Sequence, residues 1–132
     1  MKKYEQQFCS DLIKWLNYNW KESCIIEAKI ALGNEPFNIK YGFKEHQIPM
    51  LINVNERSLG YKISDLDRLP KPYDIVFSYH QPSYVAIKWI RRGNKTFYLI
   101  KPQEIVLLAN NGYKSITEDM ARKHAYFVGK LK

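Results

Sequence analysis

A chain of 132 residues, 45% of them hydrophobic and 26% charged, carries enough apolar side chain for one compact core and too much for a disordered tail. Lysine and arginine outnumber aspartate and glutamate 21 to 13, a formal net charge of +8, which favours an anionic partner and nucleic acid first. Two cysteines exclude a disulfide framework, and no apolar run is long enough to span a bilayer.

The opening MKKYEQQF has no apolar stretch behind its lysines, so a secretory signal is not expected. We expect a cytoplasmic protein without membrane contact, one domain over residues 1–132, with Cys9 and Cys24 as reduced core residues. Tyr4, Phe8, Leu12 and Leu16 recur every fourth residue, with Cys9, Ile13 and Trp15 widening the stripe. That spacing predicts an amphipathic helix ending near Tyr18 to Trp20. Glu5 lies one turn before Cys9, at the edge of the stripe. It reads as a solvated first-turn carboxylate favoured by the helix dipole, or as an acid leaning over an active site.

Residues 23–32 predict the first strand, broken by Gly33-Asn34-Glu35-Pro36. Phe37 to Phe43 reads as short and extended. Lys44 to Asn53 reads as a helix that starts near Pro49 or is kinked there. Gly60 to Asp65 leads into a loop closed by Pro70 and Pro72, and Tyr73 to Tyr79 is a strand. His80-Gln81-Pro82 turns the chain into a strand from Tyr84 to Ile90. The basic turn Arg91-Arg92-Gly93-Asn94-Lys95 follows, then the strand Thr96 to Ile100. Pro102 to Leu108 forms a helical turn or a further strand, and Thr117 caps a last helix. The expected architecture is α+β, a central mixed β-sheet flanked by helices.

In the first strand Glu27 and Lys29 share one face, while Ile26, Ala28 and Ile30 share the other. Carboxylate and ammonium there form either a surface ion pair or half of a metal-dependent phosphodiesterase site. In the second case Glu27 binds a divalent cation and Lys29 neutralises charge developing on phosphate.

Three stretches carry a family resemblance: IEAK at 26–29, EHQIPML at 45–51 and KPYDIVF at 71–77. In this order they resemble the PD-(D/E)XK nuclease superfamily, in particular its small Holliday-junction-resolvase-like members. The resemblance implies a restriction-endonuclease-like sheet and a Mg²⁺- or Mn²⁺-dependent endonuclease acting on DNA, with branched junctions as the candidate substrate. It implies Glu27, Lys29, Asp74 and Gln47 as catalytic, with Glu27, Asp74 and Asp65 as metal ligands. Asp65 has a turn-forming role as its other reading.

The family order is not kept. No acidic strand residue precedes Glu27, and Ala86-Ile87-Lys88 stands where a second E-x-K is expected. We therefore expect a rearranged site, Asp74 and Glu27 coming from neighbouring strands. The alternative is a degenerate nuclease scaffold that only binds nucleic acid. Lys62, Lys71, Lys88, Arg91, Arg92 and Lys95 are the expected phosphate contacts, and a two-fold homodimer is the expected assembly.

Overall fold

A computed structural model describes residues 2–20, 22–56, 58–62 and 75–132; for 58–62 and 75–79 the description is of the backbone alone. The chain is α+β. Its helices are α1 (Lys2–Asn19), α2 (Ile39–Gly42), α3 (Gln47–Glu56), α4 (Pro102–Asn110) and α5 (Glu118–His124). Its strands are β1 (Ile25–Leu32), β2 (Phe37–Asn38), β3 (Ser58–Lys62), β4 (Ile75–Tyr79), β5 (Ser83–Ile90), β6 (Thr96–Ile100), β7 (Ser115–Ile116) and β8 (Phe127–Lys130). The central sheet is mixed, in the order β1-β5-β6-β8, with β1 parallel to β5 and the other pairs antiparallel. Among the described residues no helix is long and apolar enough to cross a membrane.

Both faces of this sheet are covered, which explains the apolar runs in β5 and β6. On one face α1 buries Phe8 and Leu12 against Ile30, Tyr84, Ala86, Phe97 and Leu99. Aromatic rings dominate that layer. Trp15 meets Phe97 edge-on at 5.1 Å, and Trp20 meets Phe127 edge-on at 5.1 Å. Such pairs each contribute about 0.5–1.5 kcal/mol beyond the area they bury. The stripe is narrower than the sequence suggests: Tyr4, Cys9 and Ile13 are exposed, and Cys24 is only half-buried. The expectation of two core cysteines fails because Cys9 falls on the flank of α1, beyond the reach of the sheet.

On the other face α3 and α4 cover Val85, Ile87, Trp89, Tyr98 and Ile100, with Leu51, Ile105 and Leu108 filling the layer. Helix α3 starts at Gln47, so Pro49 stands in the first turn, where its missing N–H leaves no helical bond unmade. Phe37 to Phe43 is not one extended piece. Asn38 turns it into α2 by accepting a hydrogen bond from the Tyr41 N–H at 2.8 Å. Gly33 (φ 58°) ends β1 and Gly93 (φ 79°) makes the turn between β5 and β6, both in the left-handed region that glycine tolerates. Thr117 caps α5 through Met120, as expected.

An ionic cluster pins α5 to the sheet. Arg91 Nη1 lies 2.7 Å from Glu118 Oε1, and the Tyr98 hydroxyl donates to Glu118 Oε2 at 2.8 Å. Burial pushes the Glu118 carboxyl up, but hydrogen bonds from Arg91 and Tyr98 and the charges of Arg91 and Arg122 outweigh it and hold it below its ordinary value. A depressed folded value means stability that is present above the unfolded glutamate pKa, about 4.3, and lost as pH falls through the folded one. Denaturant midpoints should therefore hold between pH 7 and 5 and fall below about 4.3. Glu118→Gln should start lower at pH 7 and show a flatter acid limb. Equal acid limbs for the two proteins would remove this role from Glu118.

Candidate active site

The parity of β1 places Glu27 and Lys29 on the α3 face of the sheet, beside Val85 and Ile87 of β5. Lys29 is almost fully buried, its side chain 10% exposed, and Glu27 is 24% exposed. The ammonium stands 3.6 Å from Glu27 Oε1 and 5.6 Å from the centre of the Phe43 ring. Among the described residues it makes no shorter polar contact. Burying an ammonium is unfavourable without a compensating anion, and among the described residues Glu27 is the anion beside it.

Gln47 supplies the positioning. Its Oε1 accepts from the Lys44 backbone N–H at 2.9 Å, as the side chain at the third position of a capping box does. With the carbonyl so held, the amide nitrogen must face β1, and Nε2 donates to Glu27 Oε1 at 2.8 Å. The start of α3 thereby orients the carboxylate. Both contacts fall on Oε1; among the described residues Oε2 accepts no hydrogen bond.

Among the described residues β1 is the outermost strand of its sheet, and a cavity of about 370 Å³ lies between it and α1. Glu27 and Ala28 line it from the strand, and Glu5 and Cys9 from α1. Glu5 and Glu27 both line this cavity, Glu5 from α1, while the parity of β1 turns the Glu27 side chain to the α3 face. Sequence spacing could not show the cavity, because it depends on the packing of α1 beside β1.

Mg²⁺ takes oxygen ligands, commonly one or two carboxylates with water completing the shell. Glu27 is one carboxylate for a hard cation that keeps most of its waters; Glu5 lines the cavity from α1, on the other face of the sheet from the Glu27 side chain. Among the described residues no group of three or more His, Cys, Asp or Glu side chains gathers at one place. Asp65, Asp74 and Lys71 lie outside the described residues.

Several sequence expectations change. The strand after Asp74, β4, pairs with β3 in a separate two-stranded sheet, and among the described residues β1 pairs only with β5. Among the described residues the expected strand adjacency is therefore not seen, and α3 packs against both β1 and β4. Ala86 and Lys88 point to the α1 face, opposite to Glu27, and Ala86 is fully buried. Ala86 is thus a core residue, and no carboxylate is missing from this site there.

Lys88 is half-buried on that same opposite face. Arg91 is committed to Glu118, while Arg92 and Lys95 are exposed. Their turn follows Ile90, five residues beyond the partner of Glu27, or about 17 Å along the strand. They do not flank the site. Lys62 ends β3, opposite Ile75.

No family model matches the chain, and neither the curated proteins nor the solved structures yield a match.

Proposed function

We propose that the protein is a metal-dependent phosphodiesterase acting on DNA, of the PD-(D/E)XK kind. One observation carries the reading: a nearly buried lysine and a carboxylate oriented by Gln47 share one face of β1. Glu27 is the proposed holder of Mg²⁺ or Mn²⁺, with Asp74 and Asp65 as further carboxylates. A divalent cation bound there supplies an acidified water and screens the phosphodiester charge.

The residues of the chain do the rest. Lys29, desolvated and, among the described residues, 3.6 Å from its nearest acceptor, stabilises charge on the phosphoryl oxygens as water adds to phosphorus and the ester bond breaks. Gln47 holds Glu27 through Oε1, which among the described residues leaves Oε2 free for a cation. The net charge of +8 supports a polyanionic substrate, and a two-fold dimer would suit paired cuts at a junction. Two free thiols, Cys9 exposed and Cys24 half-buried, fit a reducing, cytoplasmic setting.

The test is cleavage of an end-labelled four-way junction and a linear duplex in Mg²⁺, in Mn²⁺ and in EDTA. Metal-dependent, EDTA-sensitive products are expected. Salt-sensitive binding without cleavage in either metal would hand the site to the binding-module reading.

A further inference from the structure

A second cavity, of about 460 Å³, opens at the end of the central sheet away from the Arg91–Lys95 turn. That volume lies within the roughly 300–1,000 Å³ typical of ligand sites. Its walls combine aromatic, cationic and amide groups. Tyr84 and Tyr126 stack with ring centres 5.2 Å apart and planes 21° apart, and Lys101 Nζ lies 4.9 Å from the centre of the Tyr126 ring. Tyr84 is buried, while Tyr126 is 55% exposed. Burial first, and then Tyr126, pushes the Tyr84 hydroxyl up to about 12, so it remains a protonated donor.

Two amides and a carboxylate share the lining with the rings. Gln103 Nε2 donates to Asn55 Oδ1 at 3.1 Å, and Asn55 Nδ2 reaches the Gln81 carbonyl at 3.4 Å, a long bond. Glu22 completes the wall. Donors and acceptors thus line, with a flat aromatic surface, a space that water can enter. No step of the proposed cleavage uses any of these groups.

We propose that this cavity receives an unpaired nucleobase of a DNA strand, stacked on Tyr126, with its hydrogen-bonding edge toward Asn55, Gln103 and Glu22 and its phosphate on Lys101. The inference rests on the nucleic-acid reading above, and needs neither metal nor cleavage. Energetics favour the exchange. An exposed cation–π contact is worth about 0.5–1 kcal/mol, whereas stacking of a base on an aromatic side chain is worth about 1–3 kcal/mol. A base therefore displaces the lysine from the ring and frees its ammonium for the backbone.

The amides and Glu22 offer both donors and acceptors, which is what a Watson–Crick edge requires and a purely apolar guest would leave unpaired. A base inside a duplex has both faces and that edge occupied, so the cavity selects strands with unpaired positions, such as the open centre of a junction. Its position suits this role. Ser83 in its wall is the partner of Ile25, two residues before Glu27, about 7 Å along the strand. That is about two base steps at 3.4 Å each.

Fluorescence anisotropy in EDTA, with a labelled oligothymidylate and a blunt duplex of equal length, tests the proposal. Tyr126→Leu should weaken single-strand binding roughly 5- to 100-fold and leave duplex binding within twofold. Tyr126→Phe should restore it, since the ring carries the effect. Lys101→Ala should lower the slope of log affinity against log salt by about one on the single strand. Equal losses on both DNAs, or none on either, for Tyr126→Leu would overturn the base pocket while leaving the nuclease reading intact. A native protein that binds neither DNA would overturn both.

Discussion

Glu27→Gln is expected to lower Mg²⁺-dependent cleavage by roughly 10²–10³-fold or more, because it removes the oriented anion at the cavity. The amide is nearly isosteric and can still accept from Gln47, so the backbone of β1 has no reason to move. The change also strands the Lys29 ammonium, 10% exposed, without its carboxylate. Breaking a buried pair from one side is destabilising by about 3–5 kcal/mol at full burial. Activity could then fall for a merely structural reason.

Glu27→Gln combined with Lys29→Met separates the two causes. The double variant should regain stability, since the remaining buried ion is gone, and should stay inactive. Lys29→Met alone should keep metal affinity and lose a comparable factor in rate. Gel assays of junction cleavage beside urea denaturation read both quantities. Cleavage by Glu27→Gln at the native rate would remove Glu27 from the site.

Phe97→Ala should have the largest effect on stability. The ring is fully buried, meets Trp15 edge-on at 5.1 Å and lies 6.4 Å from both Phe8 and Phe127. Removing it leaves a void between α1 and the sheet that rigid aromatic neighbours cannot fill. Phe→Ala changes at such sites cost about 3–5 kcal/mol. For a chain of this length that lowers the thermal midpoint by roughly 10–20 °C. Since α1 covers the sheet face behind β1, cleavage should fall with the midpoint. Phe97→Leu, which keeps most of the volume, should lose far less of both. A small, equal loss for the two variants would mean that α1 is held by other contacts.

How much of this was legible beforehand follows from how local each signal is. The fourfold recurrence of Phe8, Leu12 and Leu16 foretold α1, and the apolar run from Tyr84 to Ile90 foretold β5. The fourth strand of the sheet was not foretold. Phe127-Val128-Gly129-Lys130 is short and contains a glycine, and it becomes a strand because Phe97 lies opposite Gly129, where any Cβ would run into the ring.

The site divides in the same way. That Glu27 and Lys29 share a face follows from the two-residue period of a strand. That Lys88 faces away from them depends on the register between β1 and β5, a non-local choice that a single strand does not encode. Gln47 entered only through the family resemblance. Its contact with Glu27 depends on how the start of α3 is built from Lys44 onward.

Charge on β1 also governs what may add to that strand. An edge strand presents unpaired backbone donors and acceptors, and an apolar one invites another chain to extend the sheet. Residues 25–32 are apolar at every position except 27 and 29. The two groups proposed for chemistry are therefore also the two that discourage edge-to-edge growth, since a strand laid against β1 would have to bury both beside its own side chains. The proposed chemical role and protection against aggregation coincide in the same pair, so the charges would have a reason to be retained even without activity.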